Sequence, residues 1–294
     1  MEKSKVYFTK NINSESLVKI YDALNRDLKG NVAVKISTGE KGNNNYLKPN
    51  LIKDLVQKLN GTIVECNTAY VGKRNTTKEH LKTAREHGFF EIANVDIMDS
   101  DGDIELPVIG GKHLKTNYVG KNLKNYDSIL ILSHFKGHPM GGFGGALKNM
   151  SIGIASSKGK CWIHSGGKTN DPKTIWKNTA PQDVFLECMA EADKSVVDYF
   201  KNNIVYINVI NNLSVDCDCV ATPEKPCMHD IGIVSSLDPI ALDKACLDLI
   251  YNSSDKGRKH IIERVETRNG KHILDYATSL GIGNDVYELI NIDK

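Results

Sequence analysis

The chain has 294 residues, and its 38 lysines and arginines nearly balance its 36 aspartates and glutamates, leaving a formal net charge of +2. Because no basic stripe stands out, the charge pattern excludes the usual footprint of a nucleic-acid-binding protein. No window approaches the ~18 apolar residues of a membrane-spanning helix. Residues 1–16 also lack the apolar core of a signal peptide. We therefore expect a cytoplasmic protein with neither a membrane nor a nucleic acid as partner.

Seven cysteines are scattered along the chain. An odd number without an export signal favours a reducing compartment and argues against a disulfide framework. The cysteines should then be core residues, metal ligands or nucleophiles. Cys66, Cys188 and Cys246 lie inside apolar patterns, so we expect them in the core.

The first half of the chain alternates apolar runs of strand length with stretches of helical period, as parallel β-α units do. The pattern predicts strands over 4–10, 31–37, 62–68 and 127–135, and helices over 14–28, 47–61 and 77–89. The run 127–135 is apolar on both faces, which predicts a central strand. It leads directly into a segment rich in histidine and glycine, and ligands of open α/β sheets bind at such carboxyl ends.

The second half begins with a polar stretch over 158–174 and then resumes regular patterns. These predict strands over 203–210 and 231–236 and helices over 183–200, 239–252, 257–267 and 271–281. Asp238 precedes the helix that opens with Pro239 and is a predicted N-cap. We expect an α/β fold of two lobes, 1–150 and 151–294, built on mostly parallel sheets with flanking helices, with a soft boundary near residue 150.

Four glycines within five residues follow the predicted central strand. Such density is costly in backbone entropy and usually serves close approach of the backbone to a ligand. The segment matches neither the dinucleotide fingerprint nor the Walker A motif. Its run into a helix could still present amide groups to an anion. The predicted cofactor-binding residues are Gly141, Gly142, Gly144, Gly145, Lys148 and Asn149.

Histidines and lysines crowd the same segment, mixing metal ligands and acid–base groups with cations. His134 and His138, four residues apart, should share a face. Glu40, in a polar turn after another predicted strand, either reaches the same cleft or serves the turn alone. The predicted catalytic residues are His134, Lys136, His138, Lys148 and Glu40, and His164 is a predicted metal ligand.

A second candidate site is the Cys-x-Cys pair of Cys217 and Cys219, which follows a predicted strand. Two thiolates at this spacing can bind one metal ion. With Cys161 and Cys227 they would supply the four thiolates of an iron-sulfur cluster. Alternatively, the thiols alternate with Asp216 and Asp218 along a strand edge, buried on one face, and bind no metal.

Four motifs, in this order, resemble the bacterial and archaeal family catalogued as "domain of unknown function 362". They are GEKGNNNYLKP, HFKGHPMGGFGGALKN, CDC and DIGIVSSLDPIALDKACLDL, and they extend over nearly the whole chain. Members of that family often carry a ferredoxin-type module with C-x-x-C-x-x-C runs. This sequence has no such run, so the resemblance implies the core domain alone.

The segment from His138 to Lys148 is also similar to a motif of the nickel-pincer lactate racemases, although Gly144 stands where they have serine. In those enzymes the lysine anchors a nickel-bearing pyridinium cofactor and a downstream histidine ligates the metal. The resemblance implies that Lys148 is the anchor, His138 an acid or base and His164 the metal ligand.

We therefore expect a metal-dependent enzyme that acts on a small anionic hydroxy or carboxylate substrate, in the manner of a racemase, an epimerase or an oxidoreductase. The implied cofactor is a metal ion or a metal-bearing group, either an iron-sulfur cluster or a nickel-type organometallic. The alternatives are an iron-sulfur or metal-binding protein without turnover, and a module that binds phosphate or a nucleotide. The expected partner is a small anion, and a homodimer is compatible with the sequence.

Overall fold

The computed structural model of the protein describes residues 3–293. The strands are β1 Ser4–Thr9, β2 Val32–Lys35, β3 Thr62–Glu65, β4 Val95–Ile97, β5 Asp103–Pro107, β6 Thr116–Gly120, β7 Ser128–His134, β8 Lys136–His138, β9 Gly142–Gly144, β10 Ile204–Ile210, β11 Gly232–Ser236 and β12 Tyr287–Asn291. The helices are α1 Ser14–Ala23, α2 Pro49–Lys58, α3 Thr77–Glu86, α4 Ala146–Ile154, α5 Ser157–His164, α6 Gln182–Phe200, α7 Pro239–Tyr251, α8 Arg258–Thr267 and α9 His272–Ser279. None of the described helices is both long and apolar enough to cross a membrane.

One large sheet organises the described residues, with the strand order β12-β1-β11-β10-β7-β2-β3-β4. Neighbouring strands are parallel except where β11 pairs antiparallel with β1 and with β10. The expected mostly parallel α/β architecture is therefore confirmed. Because the sheet takes β10, β11 and β12 from the second half of the chain, strands from both sides of residue 150 belong to it. Residue 150 itself lies inside α4, so division at that point does not separate two sheets.

Strand β7 is central, as its composition predicts, and every one of its residues is buried. Its side chains alternate between two cores, as the two-residue period of a strand requires. Ile129 and Ile131 face the core formed with α4, α6 and α7. Leu130 and Leu132 face the core formed with α1 and α2. Helices thus cover both faces of the strand, which explains the apolar run from Ile129 to Leu132.

The local structure adds to the sequence pattern at several points. The N-cap of α1 is Asn13, whose side chain accepts a hydrogen bond from the amide of Ser16. Residues 158–164 of the polar stretch belong to α5, which Ser156 caps. Strands β4, β5, β6, β8, β9 and β12 were not predicted. The Asp238 cap on α7 is confirmed, since its carboxylate accepts from the amides of Ile240 and Ala241.

Helix α6 carries a buried carboxylate, Asp193, and neither of its oxygens has a hydrogen-bond partner among the described residues. Burial raises the pKa of Asp193 well above its usual value, and the nearby Asp243 adds to this effect. The folded protein therefore holds a proton here that the unfolded chain releases at neutral pH. As a result, this group makes stability fall as the pH rises above the unfolded pKa of about 4.

Asp193→Asn should stabilise the protein at pH ~8 by on the order of 1 kcal/mol or more and should change it much less at pH ~5. Thermal unfolding at the two pH values measures the difference. The matched control is Asp198→Asn on the same helix, because Asp198 is partly exposed and pairs with Lys194. Equal effects of Asp193→Asn at both pH values would show that this carboxyl does not titrate as its burial implies.

Candidate functional site

A cavity of about 310 Å³ opens at the carboxyl ends of β2, β3 and β7. These strands are parallel, so their ends meet at one edge of the sheet. The β8–β9 hairpin, the start of α4, helix α5 and loops around residues 70 and 219 complete its walls. The lining residues that carry polar chemistry are Lys35, Glu65, Cys66, Arg74, His134, Lys136, His138, Lys148, Asn149, Lys160, His164 and Cys219.

The cavity wall is strongly cationic. Four lysines and Arg74 line it, whereas Glu65 is the carboxylate residue among the lining side chains. Lys35 donates to the Ile36 carbonyl at 2.5 Å and to Asn149 Oδ1 at 3.0 Å, and burial lowers its pKa to about 8. Lys160 donates to the Ala155 carbonyl at 2.5 Å. These ammonium groups thus have neutral partners, which leaves positive charge that an anionic ligand would neutralise.

Asp218 compensates two other cations of the wall. Its Oδ1 lies 2.8 Å from His134 Nδ1 and its Oδ2 lies 2.7 Å from Lys136 Nζ. Although burial alone would raise it, Lys136 and His134 hold the pKa of Asp218 below its usual range. His134 Nε2 lies 2.6 Å from the Asn211 carbonyl. Both ring nitrogens of His134 therefore face acceptor oxygens, which makes it an imidazolium held in place, with no free nitrogen for a ligand.

His138 presents the opposite arrangement, since its Nδ1 accepts hydrogen bonds. The amide of Gly141 donates to this nitrogen at 2.8 Å and the amide of Met140 at 3.2 Å. Burial, reinforced by the charge of Lys148, lowers the pKa of His138 well below its usual value. The ring is therefore neutral and carries its proton on Nε2. His138 can donate a hydrogen bond from Nε2.

His164 adopts the other tautomer. Its Nδ1 lies 2.7 Å from the carbonyl of Lys160, one turn earlier in α5, and must donate to it. Burial lowers the pKa of His164 to about 4, and the positive charges of Lys148 and Lys160 contribute. Its Nε2 therefore carries a lone pair at neutral pH. Such a nitrogen can accept a proton or ligate a metal ion.

Lys148 lies on α4 and has no hydrogen-bond partner for its ammonium group among residues 3–293. Burial, together with the charge of Lys136, lowers its pKa to about 7. The side chain is therefore divided between its charged and neutral forms near neutral pH. A lysine in this state can hold an anion when protonated and act as a nucleophile when not.

Glu40 does not line the cavity but forms an ion pair with Arg74, which does. Its Oε2 lies 3.6 Å from Arg74 Nε, and its Oε1 accepts from the amide of Lys73 at 2.8 Å. Arg74 also donates from Nη1 to Glu65 at 3.2 Å. Glu40, predicted to be catalytic, thus orients the guanidinium of Arg74 in the structure.

The glycine segment serves packing more than ligand contact. Gly144 and Gly145 line the cavity, whereas Gly141 and Gly142 do not. A Cβ on Gly145 would lie 2.3 Å from Asp243 Oδ1. Asp243 accepts the amides of Ala146 and Leu147 at 2.8 and 3.0 Å, so an internal carboxylate already occupies the start of α4. The expected anion cradle at this helix N-terminus is therefore wrong.

Asn149 lines the cavity and also forms hydrogen bonds to the ends of two strands. Its side-chain amide donates to the Lys35 carbonyl at 3.1 Å and to Ser133 Oγ at 3.1 Å, and its oxygen accepts from Lys35 Nζ. Helix α4 is thereby fixed to both β2 and β7. This contact also sets the position of Lys148, which precedes Asn149.

The cysteines do not form the predicted four-thiolate set. Cys217 and Cys219 are joined in a disulfide, contrary to the expectation of unpaired thiols, and Cys161 and Cys227 are free. Within the described part of the chain, one candidate metal group emerges, formed by His138, Cys217 and Cys219 with ligand atoms within 4.8 Å of one another. Cys161 packs instead against Ala69 and Ile175.

Sequence reasoning missed Lys35, Lys160, Arg74 and Glu65. Lys35 and Glu65 each end a short apolar strand. This position could have indicated a role in the site, because ligands of open α/β sheets bind at the carboxyl ends of the strands. Arg74 and Lys160 lie in polar stretches where nothing in the local pattern distinguishes them from surface residues.

The family model described as "Domain of unknown function (DUF362)" matches residues 32–248. The chain, an α/β protein with a cationic cavity, therefore belongs to this family, and the resemblance found in its motifs is confirmed. No curated protein sequence matches the chain.

Two solved structures are similar at low identity. One is the lactate racemase apoprotein from Thermoanaerobacterium thermosaccharolyticum, with 15% identity and a TM-score of 0.42, covering 71% of this chain and 51% of that one. The other is a structural-genomics target from Thermotoga maritima, with 13% identity and a TM-score of 0.42, covering 87% of this chain and 58% of that one. The chain thus spans little more than half the length of either.

Asp218→Asn should destabilise the protein by about 3–5 kcal/mol at neutral pH, because it leaves two buried cations without their counter-charge. Urea unfolding at pH ~7 measures the loss. Asp216→Asn, two residues away, is the matched control and should cost about 1 kcal/mol or less, since its ion pair with Arg264 is long at 3.8 Å. Equal losses for the two variants would contradict the role assigned to Asp218.

Proposed function

We propose that the protein is an enzyme that binds a small organic anion in this cavity and exchanges a proton at a carbon next to the anion's carboxylate or carbonyl. The observation that carries the proposal is the pair of neutral histidines with opposite tautomers in one cationic cavity. His164 offers a lone pair and His138 offers an N–H. A base and a hydrogen-bond donor are the two groups that carbon–hydrogen proton abstraction requires.

Each group has a separate task in this reaction. The lysines bind the anion and stabilise the negative charge that develops on its oxygen when the proton leaves. His164 Nε2 takes the proton, and the bound anion favours the imidazolium that forms. His138 remains neutral and donates its Nε2–H to the oxygen, because donating the proton outright would leave an imidazolate. Return of the proton from His164, after exchange with solvent, completes the cycle.

The reaction can be followed by loss of the α-proton signal of lactate, malate or mandelate in D₂O by NMR. We expect exchange with the native protein, a fall of about 100-fold or more in His164→Ala, and a smaller fall in His138→Gln. His229→Ala is the control, because that side chain is 99% exposed. Exchange that persists unchanged in His164→Ala would contradict the proposal, as would its absence for all three acids with the native protein.

Anion affinity should follow the protonation of Lys148. With its pKa at about 7, Lys148 is charged below that pH, so binding should weaken as the pH rises through it. Calorimetric titration with oxalate from pH ~6 to ~7.5 follows this effect, because the charge of oxalate is constant there and Lys35, with its pKa at about 8, is still mostly charged. Lys148→Arg keeps its charge and should bind oxalate with little change over the same range, whereas an identical pH profile in native protein and variant would assign the effect to another group.

A metal-bearing cofactor fits part of the same donor set. Among the described residues, Lys148 has no hydrogen-bond partner for its amine and His164 has a lone pair on Nε2, and both residues line the cavity. Lys148 would hold such a group covalently and His164 would ligate its metal. When bound, the group would supply an acceptor for a hydride, which would make the enzyme a racemase or an oxidoreductase of hydroxy acids. The four-thiolate iron-sulfur site has no corresponding support, because Cys161 and Cys227 lie outside the candidate metal group.

A second candidate function, metal binding without turnover, has its own observation in the group His138, Cys217 and Cys219. The disulfide must first be reduced, since thiolates are the ligands. His138 would also have to give up the amide hydrogen bonds to Nδ1, because either Nδ1 binds the metal or the ring proton moves to Nδ1 and frees Nε2.

If this second function holds, the reduced protein should bind one Cd²⁺ with a thiolate charge-transfer band in the ultraviolet, and the oxidised protein should not. Cys217→Ser should lose the band, whereas the control Cys227→Ser should keep it. Equal Cd²⁺ binding by the oxidised and reduced forms would exclude the Cys-x-Cys pair as the site.

A further inference from the structure

The size of the cavity is large for the simplest hydroxy acids. Its volume of about 310 Å³ lies within the range of pockets that enclose drug-sized ligands. Cavities of this size usually enclose ligands well beyond three carbons. A ligand that fills this one therefore carries a further group besides its charged end.

The walls differ along the depth of the cavity. The charged residues Lys35, Glu65 and Arg74 are each 4% exposed or less, so they form its floor. Trp176, by contrast, lines the cavity and is 55% exposed, which places it at the mouth. The cavity is also lined by apolar and aromatic side chains, namely Ala69, Tyr70, Pro139, Met140, Ile152 and Ile175.

Trp176 is also close to the proposed reacting group. Its ring centroid lies 6.5 Å from that of His164, in an edge-to-face arrangement. A ligand whose carbon faces His164 Nε2 would therefore bring its next substituent against the indole. Aromatic groups gain from such contacts in addition to the area they bury.

We infer that the ligand of this cavity is an organic anion that carries an aromatic group, with its charged end at the lysines of the cavity and its ring against Trp176 at the mouth. This inference rests on the proposed function, since it names the class of substrate for the same site. It assigns Trp176 to specificity and not to the reaction.

Calorimetric titration with acetate, phenylacetate and 1-naphthylacetate tests the inference. Phenylacetate should bind native protein at least about tenfold more tightly than acetate. Trp176→Ala should remove most of that preference while leaving the affinity for acetate unchanged, and Trp176→Phe should retain it. Trp162→Phe is the control, because Trp162 lies outside the cavity and donates to the Thr116 carbonyl.

The inference would be wrong if acetate and phenylacetate bound with equal affinity, or if the preference for phenylacetate persisted in Trp176→Ala. Either result would still leave the binding of anions supported. If none of the three anions binds, the proposed function fails together with it. The unchanged acetate affinity of Trp176→Ala also confirms that the variant is folded.

Discussion

The site depends on one buried carboxylate, that of Asp218. Its oxygens hold His134 and Lys136 at the end of the central strand, and its backbone carbonyl accepts the amide of Glu40 at 2.7 Å. Three separated sequence motifs therefore converge on a single residue. Without this charge, two cations would be buried at the carboxyl end of β7 with no compensation.

Three lysines of the cavity have no anionic hydrogen-bond partner among the described residues, and this costs free energy. Lys35 and Lys160 are held by carbonyl and amide oxygens, and Lys148 lacks even those. Burying such groups costs free energy that the apolar cores on both faces of the sheet must offset. An anion in the cavity would relieve this cost, so ligand binding and fold stability are linked in the same direction. The cavity thus contains buried positive charge that lacks a negative partner in the ligand-free protein.

Local patterns predicted the frame of the protein well. The apolar run around β7, the periodic helices and the Asp238 cap each follow from interactions within a few residues. The helical part of the polar stretch was missed because α5 buries residues such as Lys160 and Gly159 through distant contacts. Strands from both sides of residue 150 share one sheet because β10 pairs with β7. Pairing between residues about 75 positions apart leaves no mark in either strand's own sequence.

The site itself was predicted in part. His138, Lys148 and His164 line one cavity, as their crowding in the sequence indicated, but the residues that oppose them come from β2, β3 and the loop around Arg74. The glycines were read as a ligand loop, whereas Gly145 is required by the close approach of Asp243. The tautomers of the histidines depend on which backbone groups face each ring nitrogen, and a sequence cannot reveal that before the fold is known.

The proposed chemistry depends on the tautomers of His138 and His164, and nitrogen-15 NMR of the histidine side chains can identify both. At pH ~7 in ligand-free protein, His138 should carry its proton on Nε2 and His164 on Nδ1, with neither ring charged. Assignment can use His138→Gln and His164→Ala to remove each signal in turn. The same tautomer in both rings, or a charged ring at either position, would contradict the assignment of one base and one donor on which the proposed chemistry rests.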